Sequence, residues 1–199
     1  MIGDKKTKVD FRVGRIGELL VELQLVERGW HPVRLDTAQM AANADLLAIN
    51  REKRVSIQVK TTNAEDKHSH SHCLNFGYAT SYLLDKLSIF NSKKSPLIAD
   101  IVIGVHYTKT KPRFVVLPVG FAEKLCRVHA DYWYNVKRGR DDGTRSPSFP
   151  LYIHFTRAPK KHSEHHTRLM DQMLEFEDAW HLLSELPEKL RDPSIWPVK

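Results

Sequence analysis

The chain has 199 residues, 41% hydrophobic and 28% charged, a composition that supports one globular domain with a core of its own. No apolar run approaches the ~18 residues a membrane span needs, and the N-terminal stretch lacks an apolar signal core. The two cysteines, Cys73 and Cys126, show no disulfide or zinc spacing, so the expectation is a cytoplasmic protein with no membrane partner. Net charge is +7 with a pI near 9.4, which points to a polyanionic partner. Positive charge gathers between residues 137 and 168, while residues 169–199 are net acidic.

In chain order, residues 14–29 predict a helix stopped by Gly29. Its apolar positions (16, 19, 20, 23, then 21, 25, 26) spread over more than one face and predict burial on several sides. A first strand follows over 30–37, with Pro32 marking an edge or early bulge. Two strands, "ADLLAIN" and "RVSIQVKTT", then form a hairpin over the polar turn "NREKR". Residues 63–78 are polar and His-rich without a period, and read as a loop. A short helix over 82–90, strands over 99–107 and 113–119, and a helix over 120–136 come next. The stretch "KRGRDDGTRSPSFP" has turn chemistry throughout, 151–155 reads as a last strand, and 166–186 has helical periodicity up to Pro187. This order predicts a mixed sheet with helices on its faces. The core is assigned to residues 1–160, and 161–199 is a helical extension on the same domain or on a partner subunit.

Strand alternation places Gln58 and Lys60 on one face of the second hairpin strand, with Ser56, while Ile57 and Val59 take the other. The preceding strand is apolar on both faces after Asp45, so it is central and covered. A lysine beside a covered sheet needs a carboxylate, a phosphate or water. Carboxylate and carbonyl oxygens are hard ligands for Mg²⁺, and a lysine two residues along can steady charge on a phosphoryl group.

Asp45, twelve intervening residues, then Gln58-Val59-Lys60 resembles the PD-(D/E)XK nuclease superfamily. Upstream, "GRIGELLVELQLVERGWHPVRLD" resembles the helix and first strand of Holliday-junction resolvases and several restriction endonucleases. The resemblance covers about the first 62 residues. It implies a restriction-endonuclease-like α/β fold: a mixed central sheet flanked by helices, with an appended C-terminal helix. It implies a metal-dependent DNA endonuclease in which Glu18, Asp45 and Gln58 hold Mg²⁺ or Mn²⁺ and Lys60 completes the catalytic set. Two positions depart from the pattern. Ala44 replaces its proline, and Gln58 replaces its second acid, which removes one negative charge. The alternative is a catalytically inactive nuclease-fold module that binds DNA without cutting it.

DNA-contact candidates are Lys137, Arg138, Arg140 and Arg145 on the basic loop, with Asn63 and His68 beyond the third strand. A homodimer suits cutting of both strands of a duplex. Each residue also has a plain role: Asp45 can end a strand, Lys60 can snorkel, and Glu18 can favour a helix N-terminus. The run His68, His70, His72, Cys73 invites zinc, but no second Cys/His cluster has finger spacing, and a solvated loop is the expectation. Tyr132, Trp133 and Tyr134 are candidates for base stacking or for packing.

Overall fold

The computed structural model describes residues 5–35, 44–63, 72–80, 99–135, 148–156 and 163–198, with backbone alone at 5–11, 77–80, 133–135, 148–150 and 163. The architecture is mixed α/β. A five-stranded sheet has the order β1-β2-β3-β5-β6, with β1 (His31–Arg34), β2 (Leu46–Asn50), β3 (Lys53–Asn63), β5 (Ile101–Tyr107) and β6 (Arg113–Pro118). The β3–β5 pair is parallel and the other pairs are antiparallel. A separate two-stranded ribbon joins β4 (Cys73–Thr80) to β7 (Ser148–His154). The predicted loop over 63–78 is thus partly wrong. Cys73, Leu74 and Phe76 are buried in a strand, and only Asn75 among them is exposed.

Helix α1 (Lys5–Glu27) lies on one face of the sheet, and α2 (Val119–Asn135) and α3 (Ser163–Leu174) serve the other. The faces follow the period-two alternation of β5 and β6. Ile101, Ile103, Val105, Phe114 and Val116 face Val21 and Leu25 of α1. Val102, Val115 and Leu117 face Leu125 and Cys126 of α2, together with Leu74 and Ile153 of the ribbon. The ribbon approaches closely because β5 has Gly104 at the contact: a Cβ there would lie 2.4 Å from a Leu74 methyl.

Burial of α1 on several sides does not occur. Gly17, Val21 and Leu25 are buried, whereas Leu19, Leu23 and Val26 are exposed. The helix is tied to β1 by a forked ion pair, Arg34 to both oxygens of Glu22.

The helix expected over 166–186 is broken. It runs as α3 to Leu174, and a 3₁₀ turn follows at Trp180–Ser184. Between them the chain pairs with the edge of β6: the Val116 N–H donates to the Phe176 carbonyl at 3.0 Å, and the Asp178 N–H donates to the Phe114 carbonyl at 3.0 Å. An otherwise open strand edge is thereby covered. Leu169 and Met173 join one core and Trp180, Leu182, Leu183 and Leu190 the other, so residues 163–198 pack on the sheet of this same chain. The short helix α4 (Pro187–Arg191) is fixed by Arg191, whose Nε donates to Asp100 Oδ1 at 2.6 Å. The other Asp100 oxygen accepts from the Ser56 N–H and hydroxyl, at 2.8 and 2.6 Å. The helix expected over 82–90 lies outside the described residues.

Candidate functional site

Asp45 sits where three strands meet. Its N–H donates to the Ile57 carbonyl at 2.8 Å, and its own carbonyl accepts from the Leu35 N–H at 3.0 Å, just beyond β1. Its carboxylate reaches β3, where Oδ2 accepts from the Val59 N–H at 2.6 Å. The Asp45 backbone and side chain are therefore both fixed before any ligand arrives. The β2–β3 register, with Leu46 opposite Ile57, sets Gln58 beside it.

Gln58 and Lys60 project to the α2 face, as alternation predicts, and Gln58 is 95% buried. Its Oε1 is buried with no hydrogen-bond partner. An orphaned buried amide oxygen is costly, and native proteins keep few of them. Lys60 is flanked in register by Gly104 and interacts with the fully buried Cys126 of α2. Burial pulls the Lys60 ammonium below its ordinary range, and the Asp45 carboxylate opposes that pull. Burial raises the Asp45 carboxyl. The Val59 N–H lowers it, the charge of Glu18 raises it further, and Lys60 lowers it. Burial also raises the Cys126 thiol, so Lys60 faces a neutral sulfur rather than a thiolate.

Glu18 comes from the helix on the opposite face, near enough for its charge to act on Asp45 just before β2. A glycine makes this possible. A Cβ built on Gly17 would lie 1.8 Å from Thr61 Oγ1 and 2.9 Å from Thr61 Cβ, so α1 rests directly on β3 at this point. Thr61, on the opposite face from Lys60, is half-buried, and its hydroxyl oxygen is buried without a hydrogen-bond partner. Gly14 has nothing within 4 Å of such a Cβ, so the first glycine of the "GxxGE" run has no packing role. Arg15, one turn earlier, donates from Nη1 to Glu18 Oε2 at 2.8 Å.

Glu18, Asp45 and Lys60 thus interact electrostatically, and Gln58 lies next to Asp45 in register. Two carboxylates and an unpartnered amide oxygen are the hard donors that Mg²⁺ or Mn²⁺ accepts, so the residues present fit such an ion. Among the described residues no group of three or more His, Cys, Asp or Glu side chains is placed to hold a metal. The fit therefore depends on the Gln58 oxygen.

The remaining candidates are not gathered there. Asn63 closes β3 opposite Tyr107. Lys137, Arg138, Arg140, Arg145 and His68 lie outside the described residues. Ser56 is engaged by Asp100.

Sequence reasoning missed a second polar cluster. Cys73 Sγ lies 3.3 Å from His154 Nδ1, and His129 Nδ1 lies 3.1 Å from His165 Nε2. The His166 ring touches those of His129, His154 and His165, and Tyr132 stacks on His165 with ring centroids 3.6 Å apart. His72 turns instead to His106, at 3.3 Å. The zinc run is therefore divided: His72 and Cys73 go to different partners, while His68 and His70 lie outside the described residues. The only sequence signal for this cluster is the abundance of histidine. Its members come from β4, α2, β7 and α3, and no local pattern joins those elements.

No helix among the described residues is long and apolar enough to cross a membrane. No family model matches the sequence, and no curated protein matches it. Among solved structures, the bacterial homing endonuclease I-Ssp6803I is similar, with a TM-score of 0.44 and 14% identity over 91% of this chain and 93% of that one.

Proposed function

We propose that the protein is a metal-dependent DNA endonuclease that hydrolyses phosphodiester bonds at the Glu18–Asp45–Gln58–Lys60 site. One observation carries the reading. Asp45 feels both the negative charge of Glu18 and the positive charge of Lys60, beside a buried amide oxygen with no partner. Groups driven away from their ordinary ionisation while held together in geometry are the mark of a reactive site.

Glu18, Asp45 and Gln58 Oε1 would hold Mg²⁺ or Mn²⁺. When bound, the ion supplies Lewis acidity toward a phosphoryl oxygen and a more acidic water. Asp45, fixed by the Val59 N–H, presents its carboxylate in one orientation. Lys60 Nζ, held under α2, orients the attacking water and bears on the negative charge that grows on the phosphoryl oxygens. The water oxygen bonds to phosphorus and gives up a proton to solvent as the opposite P–O bond breaks and the leaving oxygen takes up a proton from solvent, so configuration at phosphorus inverts and no covalent enzyme intermediate forms. The basic loop with Lys137, Arg138, Arg140 and Arg145, together with Asn63 and His68, would track the DNA backbone. A homodimer would supply one such site per strand.

The test is nicking of supercoiled plasmid in Mg²⁺ or Mn²⁺, with Asp45→Ala and Lys60→Ala alongside. Metal-dependent nicking that both substitutions abolish is expected. Nicking that survives both overturns the assignment. The second reading, a module that binds DNA without cutting, draws on Gln58 standing in place of an acid. Salt-dependent binding with no cleavage in either metal would establish it.

A further inference from the structure

Arg15 has no part in the chemistry above, yet its guanidinium lies on a ligand of the site. The charges there balance without any ion: Glu18 and Asp45 are negative, Arg15 and Lys60 positive, and Gln58 neutral. Lys60 is half-buried beside Cys126 of α2. Arg15 is about one-third exposed, on a long flexible stem. A divalent ion drawn to the two carboxylates adds two positive charges within a few ångströms of it. The ion then competes with Arg15 for Glu18 and repels the guanidinium. A displaced guanidinium beside such a site matches one chemical group above all, a phosphate that it can bind through two parallel N–H···O bonds.

We propose that Arg15 binds a DNA backbone phosphate once a divalent ion has displaced it from Glu18. Ion loading is thereby coupled to strand binding. Without an ion, Arg15 neutralises Glu18 and the site offers little to a phosphate. With the ion, the same residue changes partner, and duplex affinity rises. This inference rests on the nuclease reading. The plain alternative is an (i, i+3) helix pair of little consequence.

The experiment uses the full chain and Arg15→Gln, with Mn²⁺ alone as one probe and a short DNA duplex as the other. In calorimetry without DNA, Arg15→Gln should bind Mn²⁺ more tightly, roughly tenfold, because a competing cation is gone. In fluorescence anisotropy, the unmodified chain should bind duplex more tightly in Ca²⁺ than in EDTA. Arg15→Gln should lose most of that gain, and its slope of log affinity against log salt should fall by about one. Arg15→Lys should restore the competition with Mn²⁺ but only part of the gain on DNA, since it lacks the fork. The opposed directions, tighter ion and weaker strand, separate the coupling from a structural role. Unchanged binding of both probes by Arg15→Gln overturns the proposal and leaves the nuclease reading standing. Weaker binding of both, with a lower melting temperature, makes Arg15 a prop for Glu18 and also overturns it. An unmodified chain that binds neither probe removes the nuclease reading and this inference together.

Discussion

Two groups of polar side chains lie wholly or partly buried on the α2 side of the sheet, and they differ in charge. Lys60 lies beside Cys126 and interacts with Asp45, next to Gln58 in register; burial shifts both charged groups, and the Gln58 amide oxygen has no partner. Three residues further along the same helix, His129 lies among His154, His165 and His166. There burial, followed by the neighbouring imidazoles, drives His129 far toward the neutral form. His129 hydrogen-bonds to His165, and the rings stack or meet edge-on, which offsets part of the cost of burying them. Each group keeps one buried polar atom without a hydrogen-bond partner, Gln58 Oε1 in the first and His166 Nδ1 in the second. The first brings together groups of both signs, and the second gathers imidazoles.

The sharpest way to break the comparison is to remove Asp45. Asp45→Ala should lower metal-dependent nicking by on the order of 10²–10³-fold. The matched change in the second group, His166→Gln, should leave the nicking rate of the folded fraction unaltered. Equal losses in a plasmid assay would erase the distinction.

Next in size is Gly17→Ala, which removes no charge. Thr61 Cβ cannot rotate away, so α1 must shift, at about 1–3 kcal/mol in stability measured by urea unfolding, with a loss of activity. Gly14→Ala meets empty space and should stabilise by about 0.5–1 kcal/mol, as a helix-interior glycine replaced by alanine does. If the two behave alike, the close approach at Thr61 is not what sets Glu18.

Acid should act chiefly through the histidines. His106 is lowered to about 4, by burial first and then by His72 and Arg113, and His129 is lowered further. A lowered imidazole takes up fewer protons when folded than when unfolded. Its contribution is therefore intact above the unfolded value near 6.5 and is lost as pH falls toward the folded one. The melting temperature should drop by several degrees between about pH 7 and pH 5. His129→Gln should flatten that slope, and a slope unchanged in this variant would exclude His129 as its source.

The smallest changes in stability come from two further substitutions at the proposed site. Gln58→Glu should tighten Mn²⁺ binding in calorimetry by adding an anionic donor. Lys60→Met should remove nicking while leaving the melting temperature equal or slightly higher, because a desolvated ammonium is gone. A clear fall in stability would mean that Lys60 supports the fold.

The hairpin that carries Asp45, Gln58 and Lys60 was legible because its signals are local: period-two alternation and a polar turn. The strand after Asp45, apolar on both faces and expected to be central and covered, is buried on one face only: Leu46 and Ala48 are buried, while Leu47 and Ile49 are half-buried beside the edge strand β1. Glu18 came only through resemblance, since its helix meets β2 and β3 across the sheet. Strand β4 was missed because Cys73, Leu74 and Phe76 lie in a polar, His-rich stretch, and their burial depends on Gly104 far along the chain. The break after Leu174 was also hidden. Helical periodicity continues through residues 175–179, but the free edge of β6 recruits their backbone. Arg15 and the histidine cluster depend on contacts between elements, which no single window of sequence reports.

The bare Cα of residue 17 has a consequence for other chains of this fold. A descendant that kept all four site residues but gained a methyl there would be disarmed while looking intact to any motif. On the proposed function, its loss of cutting would be written at a position with no chemistry of its own, and Thr61→Gly, which removes the clashing Cβ, would be the change that re-arms it.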